Sequence, residues 1–239
     1  MNMYSRRTAL PMLVTIACVG LLATALASVA QTAPRQGDAA NASPPRINST
    51  AIAAPRTDAN SRIAHEQLVA KAKAGGIDLY FLGDSIMRRW GCTDPQWSEM
   101  LANWKKNFFG WNAANFGWGA DGIQHMLWRI QNGELEGVNP KVIVILAGTN
   151  NVGNRPGGDE KVADIVGGFQ ALVDECREKA PQAKIIVTAI FPRNDNPAVL
   201  PEIGRINDEL AKLADGQTIY YVNVNDQLAD PEGDRKSVV

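Results

Sequence analysis

Five short apolar runs alternating with amphipathic segments predict an α/β fold, a five-stranded parallel sheet with helices on both faces. Three observations carry this. Val142-Ile143-Val144-Ile145-Leu146-Ala147 is a continuous apolar run of the kind a parallel sheet buries on both sides. Four further runs, Ile77 to Leu82, Asn112 to Phe116, Lys184 to Ala189 and Ile219 to Val224, have strand length and are separated by segments of helical pattern. The first three strands end in glycine-bearing turns, Gly83-Asp84-Ser85, Gly117 to Asp121 and Gly148 to Asn151. In a parallel sheet all of these turns open on one edge, where open α/β folds place their ligands.

The elements follow in order. From Ser61, Ile63, Leu68 and Val69 mark one face of a helix that runs to about Ala74 and is stopped by Gly75-Gly76. Ile77 to Leu82 is the first strand, and Ile86-Met87-Arg88-Arg89-Trp90 begins a helix directly after Ser85. Asp94 to Phe109 places Trp97, Met100, Leu101 and Trp104 together on one helix, where their expected role is packing. After the second strand, Gly122 to Gln131 reads as a helix closed by Asn132-Gly133. Glu160 to Lys179 and Ile203 to Leu213 are the helices before the fourth and fifth strands.

The domain is expected to occupy residues 61–239. Ahead of it, Arg6-Arg7 precedes an uncharged run from Thr8 through Ala30 that ends in small residues, the pattern of a cleaved signal peptide over residues 1–30. Pro11 and the ending Ala27-Ser28-Val29-Ala30 favour cleavage over a single membrane anchor. Ser5-Arg6-Arg7 hints at a twin-arginine route, whereas the residues around Cys18 fit a lipidated cysteine poorly. The expectation is export, to the periplasm or outside the cell, with no stable membrane span after cleavage. Residues 31–60, rich in Ala, Pro, Asn, Ser and Thr, bury too little to offset their ordering entropy and read as a disordered spacer. The chain carries a net charge of −1, and removing Arg6 and Arg7 leaves −3, which argues against a nucleic-acid partner. Cys92 and Cys176 are too few and too far apart for a metal site, and whether they pair is left open.

Ser85, the Gly117 to Ala120 turn and Asn150 all fall just past strand ends, so the fold would bring them together. Acyl transfer needs a nucleophile and hydrogen-bond donors aimed at the developing oxyanion. The backbone N–H groups of Ser85 and Ala120 and the side-chain amide of Asn150 are of the required types. The bland alternative is that Asp or Ser after a strand is an ordinary helix N-cap.

Gly83-Asp84-Ser85, Asn115-Phe116-Gly117-Trp118-Gly119-Ala120-Asp121 and Gly148-Thr149-Asn150-Asn151 resemble the ordered motifs of the SGNH, or GDSL, hydrolases. From Asn115 through Leu127-Trp128-Arg129-Ile130-Gln131-Asn132-Gly133-Glu134 to Asn151 the chain is similar to the catalytic α subunits of intracellular platelet-activating factor acetylhydrolase and their bacterial relatives. The resemblance implies a three-layer, flavodoxin-like α/β/α fold and a serine esterase acting without cofactor or metal on acetyl or other short acyl esters of a lipid or an O-acetylated carbohydrate. It makes Ser85 the nucleophile and Asn150 the side-chain oxyanion donor. The second oxyanion position, normally glycine, falls on Ala120, which keeps the N–H and adds a methyl group.

The resemblance also implies a base, a histidine near the C-terminus with an aspartate three residues before it, followed by a last helix. No histidine follows His125, and Asp230 and Asp234 read as solvated loop carboxylates. The expectation is a domain lacking its last helix and weak or inactive as an esterase, with apolar surface uncovered on one side of the sheet. His65 and His125 are expected to be structural, and of the tryptophans Trp118 is the candidate for substrate contact. The alternative function is a non-catalytic acyl- or carbohydrate-binding module on the same fold. Nucleotide binding ranks last, because no phosphate-cradling glycine loop follows the first strand. The oligomeric state, a homodimer included, is left open.

Overall fold

A computed structural model describes residues 49–228. The signal-peptide reading of residues 1–30, the spacer reading as far as residue 48, Asp230 and Asp234 lie outside the described residues. Five strands, β1 (Leu79–Gly83), β2 (Ala113–Gly117), β3 (Val142–Leu146), β4 (Lys184–Thr188) and β5 (Ile219–Val222), form one sheet in the order β2-β1-β3-β4-β5. Every pairing is parallel, with Gly83 level with Gly117 on one side and Leu146 on the other. This is the flavodoxin-like order, whose switch point lies between β1 and β3.

The pleat decides which side chains meet which helices. Tyr80, Leu82, Ile143, Ile145, Ile185 and Val187 share a core with α1 (Ala59–Ala74), α4 (Ile123–Arg129), α6 (Gly158–Lys179) and α7 (Leu200–Ala211). Leu79, Phe81 and Leu146 face the other way, against α2 (Ser85–Gly91) and α3 (Ser98–Phe108). There Phe81, Trp90, Trp104 and Phe108 form an aromatic cluster with ring centroids 4.9–5.9 Å apart, whereas Trp97, expected on the same helix as Trp104, lies in a 3-10 turn ahead of α3 under the Arg89 guanidinium. Among the described residues no helix covers the β5 end of this face, and Tyr220 and Val222 are 38% and 40% exposed. Two single-turn helices, α5 (Thr149–Val152) and α8 (Asn225–Leu228), follow β3 and β5. Among the described residues no helix is long and apolar enough to cross a membrane.

Two readings need correction. Helix α7 starts at Leu200, three residues before the expected Ile203, because Pro201 sits in its first turn, where a missing N–H costs nothing. More consequentially, residues 49–58 are not spacer, and α1 already begins at Ala59. A 3-10 turn, Ser49–Ala51, docks on α6: the Ser49 hydroxyl and the Thr50 N–H donate to the Asp164 carboxylate, and the Thr50 hydroxyl donates to the Asp164 carbonyl. Ala54 N–H then donates to Gln124 O at 3.1 Å. Composition missed this because the segment is held by polar side chains and backbone rather than by apolar burial. Gly168 leaves room for it, since a Cβ there would lie 2.5 Å from Thr50 Oγ1 and 3.1 Å from Ile123. In a free helix Gly→Ala gains about 1 kcal/mol. Here Gly168→Ala is expected to be net destabilising, and Gly168→Val to cost about 1–3 kcal/mol by overpacking, both measured by urea unfolding.

Candidate active site

The cap and nucleophile readings of the first turn separate onto neighbouring residues. Asp84 is the N-cap of α2, its carboxylate accepting from the Ile86 N–H at 2.8 Å. Ser85 is therefore released from capping: it is half-buried, and its hydroxyl makes no hydrogen bond among the described residues. Gly83 lets α2 start tight against the sheet, because a Cβ there would come within 2.6 Å of both Leu146 O and Met87 Cβ.

The other two predicted donors leave the strands on either side of β1. After β2, the Trp118 N–H donates to Gly83 O at 3.0 Å, and Ala120 follows with φ +61°. A non-glycine residue in that left-handed region carries about 1–2 kcal/mol of strain. This answers the substitution noted in sequence: the alanine keeps the turn, and its methyl group is exposed. After β3, Gly148 turns the chain with φ +97°, and exposed Asn150 donates from Nδ2 to Asp121 O at 2.7 Å. Asn151 fixes the same loop to α4, accepting from Ile123 N–H and donating to Gln124 Oε1, each at 2.9 Å. Ser85, Ala120 and Asn150 thus stand past the ends of three adjacent strands, on one rim, in segments tied to one another.

Beneath the rim lies a polar network that sequence reasoning did not single out. The buried Arg129 guanidinium donates to Asp121 Oδ2 at 2.8 Å, to Phe116 O at 3.1 Å, to Gly83 O at 3.5 Å and to Glu134 Oε2. Glu134 Oε1 lies 2.8 Å from His65 Nδ1, and its carbonyl accepts from the Tyr80 hydroxyl at 2.9 Å. From the reassigned segment, Arg56 donates to Gly119 O at 3.1 Å and reaches within 3.5 Å of Asp121 Oδ1. A run of Trp-Arg on a helix gives no signal for such a role; only the buried carbonyl acceptors reveal it.

Both histidines are committed elsewhere. His65 pairs with Glu134 and lies 4.8 Å, centroid to centroid, from Trp128. His125 accepts the Gly122 N–H on Nδ1 at 2.9 Å, capping α4 from inside, and burial with Arg56 and Arg129 nearby lowers its pKa. Trp118 donates from Nε1 to Ser61 Oγ at 2.8 Å and lies under the Arg88 guanidinium. Cys92 and Cys176 are free thiols, and burial pushes that of Cys176 up to about 12. Among the described residues no three His, Cys, Asp or Glu side chains converge as a metal site requires. Two carboxyls stand out. Asp84 and Asp121 each keep one buried oxygen without a hydrogen bond, and burial raises both to about 6, Asp121 adding to the rise at Asp84.

Comparison with known proteins bears on the family and the fold. The family model described as GDSL-like Lipase/Acylhydrolase matches residues 81–238. Platelet-activating factor acetylhydrolase IB subunit alpha1 of Homo sapiens is 34% identical over 150 residues, 63% of this chain and 59% of that protein. Subunit alpha2 of Homo sapiens is 33% identical over 169 residues, 71% of this chain and 66% of that protein. The chain therefore spans less than two thirds of these relatives. A crystal structure of a GDSL-like lipase from Bacteroides thetaiotaomicron superposes with a TM-score of 0.54 at 18% identity, covering 72% of this chain and 81% of that one.

Two expectations follow. A carboxyl raised from about 3.8 to about 6 on folding binds its proton more tightly in the native state. Its contribution to stability is therefore complete below about pH 4 and is lost as pH rises through 6. Asp84→Asn keeps the cap and removes the charge, so it should flatten the fall in urea-unfolding stability between pH 4 and pH 6. Arg129→Met removes the shared buried partner of Asp121 and Glu134 and should cost about 3–5 kcal/mol at pH 7. The loss should be smaller at pH 5, where Asp121 takes up a proton.

Proposed function

The chain belongs to the GDSL-like lipase/acylhydrolase family, and from that premise we propose a serine esterase of acetyl or other short acyl esters, with Ser85 as nucleophile. The observation that carries the proposal is the unengaged Ser85 hydroxyl past the end of β1, with the Ala120 turn past the neighbouring β2 and the Asn150 amide past the neighbouring β3. Ser85 Oγ would attack the ester carbonyl carbon. The oxyanion formed would be met by the N–H groups of Ser85 and Ala120 and by Asn150, the alcohol would leave, and water would release the acyl group. Asn150 has two amide hydrogens. One is held by Asp121 O, which aims the other.

The names of the relatives support an acetyl group with a lipid as the alcohol side; an O-acetylated carbohydrate is the alternative alcohol side. Residues 1–30 support action after export, in the periplasm or outside the cell. The proton on Ser85 is the weak point. With His65 on Glu134 and His125 on Gly122, no described histidine takes it, and a polypeptide of these 239 residues is proposed to turn over slowly, at a residual rate above buffer. The same observation favours the second reading, a non-catalytic acyl- or carbohydrate-binding module.

Hydrolysis of p-nitrophenyl acetate separates the two. The esterase reading expects a rate above buffer that falls to the buffer rate in Ser85→Ala. It also expects a drop of about a hundredfold to a thousandfold in Asn150→Ala once a histidine-bearing C-terminal segment has been added to restore full turnover. Equal rates for the parent and Ser85→Ala would remove Ser85 from the chemistry. Ligand binding retained in Ser85→Ala, with no turnover in any extended form, would establish the binding module.

A further inference from the structure

The corner between α3 and β2 lies at the edge of the sheet opposite Ser85, and it presents its aromatic side chains outward. Phe108 points in and packs on Phe81, Trp90 and Trp104. The next two aromatic residues do not: Phe109 is 89% exposed and Trp111 63%. The backbone is built to hold them there. Gly110 has φ +84° and Asn112, not a glycine, has φ +50°. The Asn112 side chain donates to Asp78 Oδ2 at 2.8 Å, and the Trp111 N–H donates to Phe108 O at 3.2 Å. Exposed apolar side chains held in place at a strained turn point to a partner.

Charge identifies the partner. Lys105 and Lys106, in the last turn of α3, are exposed and have no carboxylate partner among the described residues. Because the strands are parallel, Lys141 and Lys184, at the starts of β3 and β4, share this edge. The nearby acid, Asp78, is already paired with Lys141 at 3.2 Å. Area argues against a second copy of the chain. Two aromatic side chains of ~150–250 Å² each offer roughly 230–380 Å² at these exposures, well below the ~800 Å² per partner of a stable interface. A bilayer surface needs no such area, since single aromatic side chains enter at headgroup level while lysines meet anionic lipid.

We propose that Phe109 and Trp111, with Lys105 and Lys106, form an interfacial anchor that seats the domain on an anionic lipid surface and turns the Ser85 rim away from it. This inference stands apart from the esterase reading. Hydroxyl-radical footprinting of the full chain, read at Phe109 and Trp111 by mass spectrometry, tests it. Vesicles of phosphatidylglycerol and phosphatidylcholine should protect both side chains, and vesicles of phosphatidylcholine alone should protect them far less. At about 1 kcal/mol for each lysine near the surface, Lys105→Ala with Lys106→Ala should raise the lipid concentration for half-protection about thirtyfold. Arg62→Ala with Arg155→Ala, which alters cations at the opposite, strand-end edge, should leave it unchanged. Oxidation unaffected by anionic vesicles would overturn the proposal. So would protection that appears without lipid as protein concentration rises, which would mean a second copy occupies the corner.

Discussion

The geometry of the rim depends on one buried cation. Among the described residues, Arg129 alone touches the end of β1 at Gly83 O, the end of β2 at Phe116 O, and the turn beyond β2 through Asp121. A guanidinium suits the position because its five donors lie in a fixed plane, so four acceptors on different segments can be held at once. Such networks contribute little net stability, because desolvating the ions offsets much of their attraction. What this one supplies is register: the turn that carries Ala120 is set relative to the strand that carries Ser85. The charge is not fully balanced, since Asp121 and Glu134 face one fully buried arginine. Arg56 adds a second cation beside Asp121, and the His65 ring meets Glu134, both from residues that precede β1.

The second constraint is the unequal cover of the sheet. Among the described residues four helices seal one face, while α2 and α3 are the main cover of the other, over β1, β2 and β3. Ser85 belongs to the thinner layer. Its helix is seven residues long, too short to hold itself, and stays in place because Met87 is buried and Trp90 is embedded among Phe81, Trp104 and Phe108. The aromatic cluster is therefore part of what positions the proposed nucleophile. It also ends at Phe108, so the residue that completes the packing of α2 is the one from which the exposed corner springs.

The strands and their order of appearance were legible because parallel strands are buried on both faces and read as uninterrupted apolar runs, as Val142 to Leu146 shows. The rim was legible for a related reason: when every strand points the same way, the residues after each one must share an edge, and Ser85, Ala120 and Asn150 do. What stayed hidden was held by polar contacts between distant segments. Thr50 and Arg56 sit in a stretch whose composition resembles a linker, yet each finds an acceptor on another element. His125 was assigned no role, and its role as a cap for Gly122 depends on a turn geometry that spacing does not encode. Ala120 could be aligned with a glycine, but its left-handed conformation had to be seen.

The ties across the rim bear on both functional readings. Trp118 N–H to Gly83 O, Asn150 to Asp121 O and Asn151 to Ile123 N–H each join two of the three loops, and none involves the Ser85 hydroxyl. A site for a tetrahedral anion must be organised before the anion forms, because donors that reorient during the reaction return much of what they stabilise. Among the described residues these ties across the rim form without engaging the Ser85 hydroxyl. A binding module and an esterase would therefore share the same rigid rim, and would differ only in whether a base stands beside Ser85. The strain kept at Ala120 is informative in this light. A turn with no need to hold its N–H in one direction would relax out of the left-handed region, and this one is held there by Trp118 on one side and Asp121, clamped by Arg129, on the other.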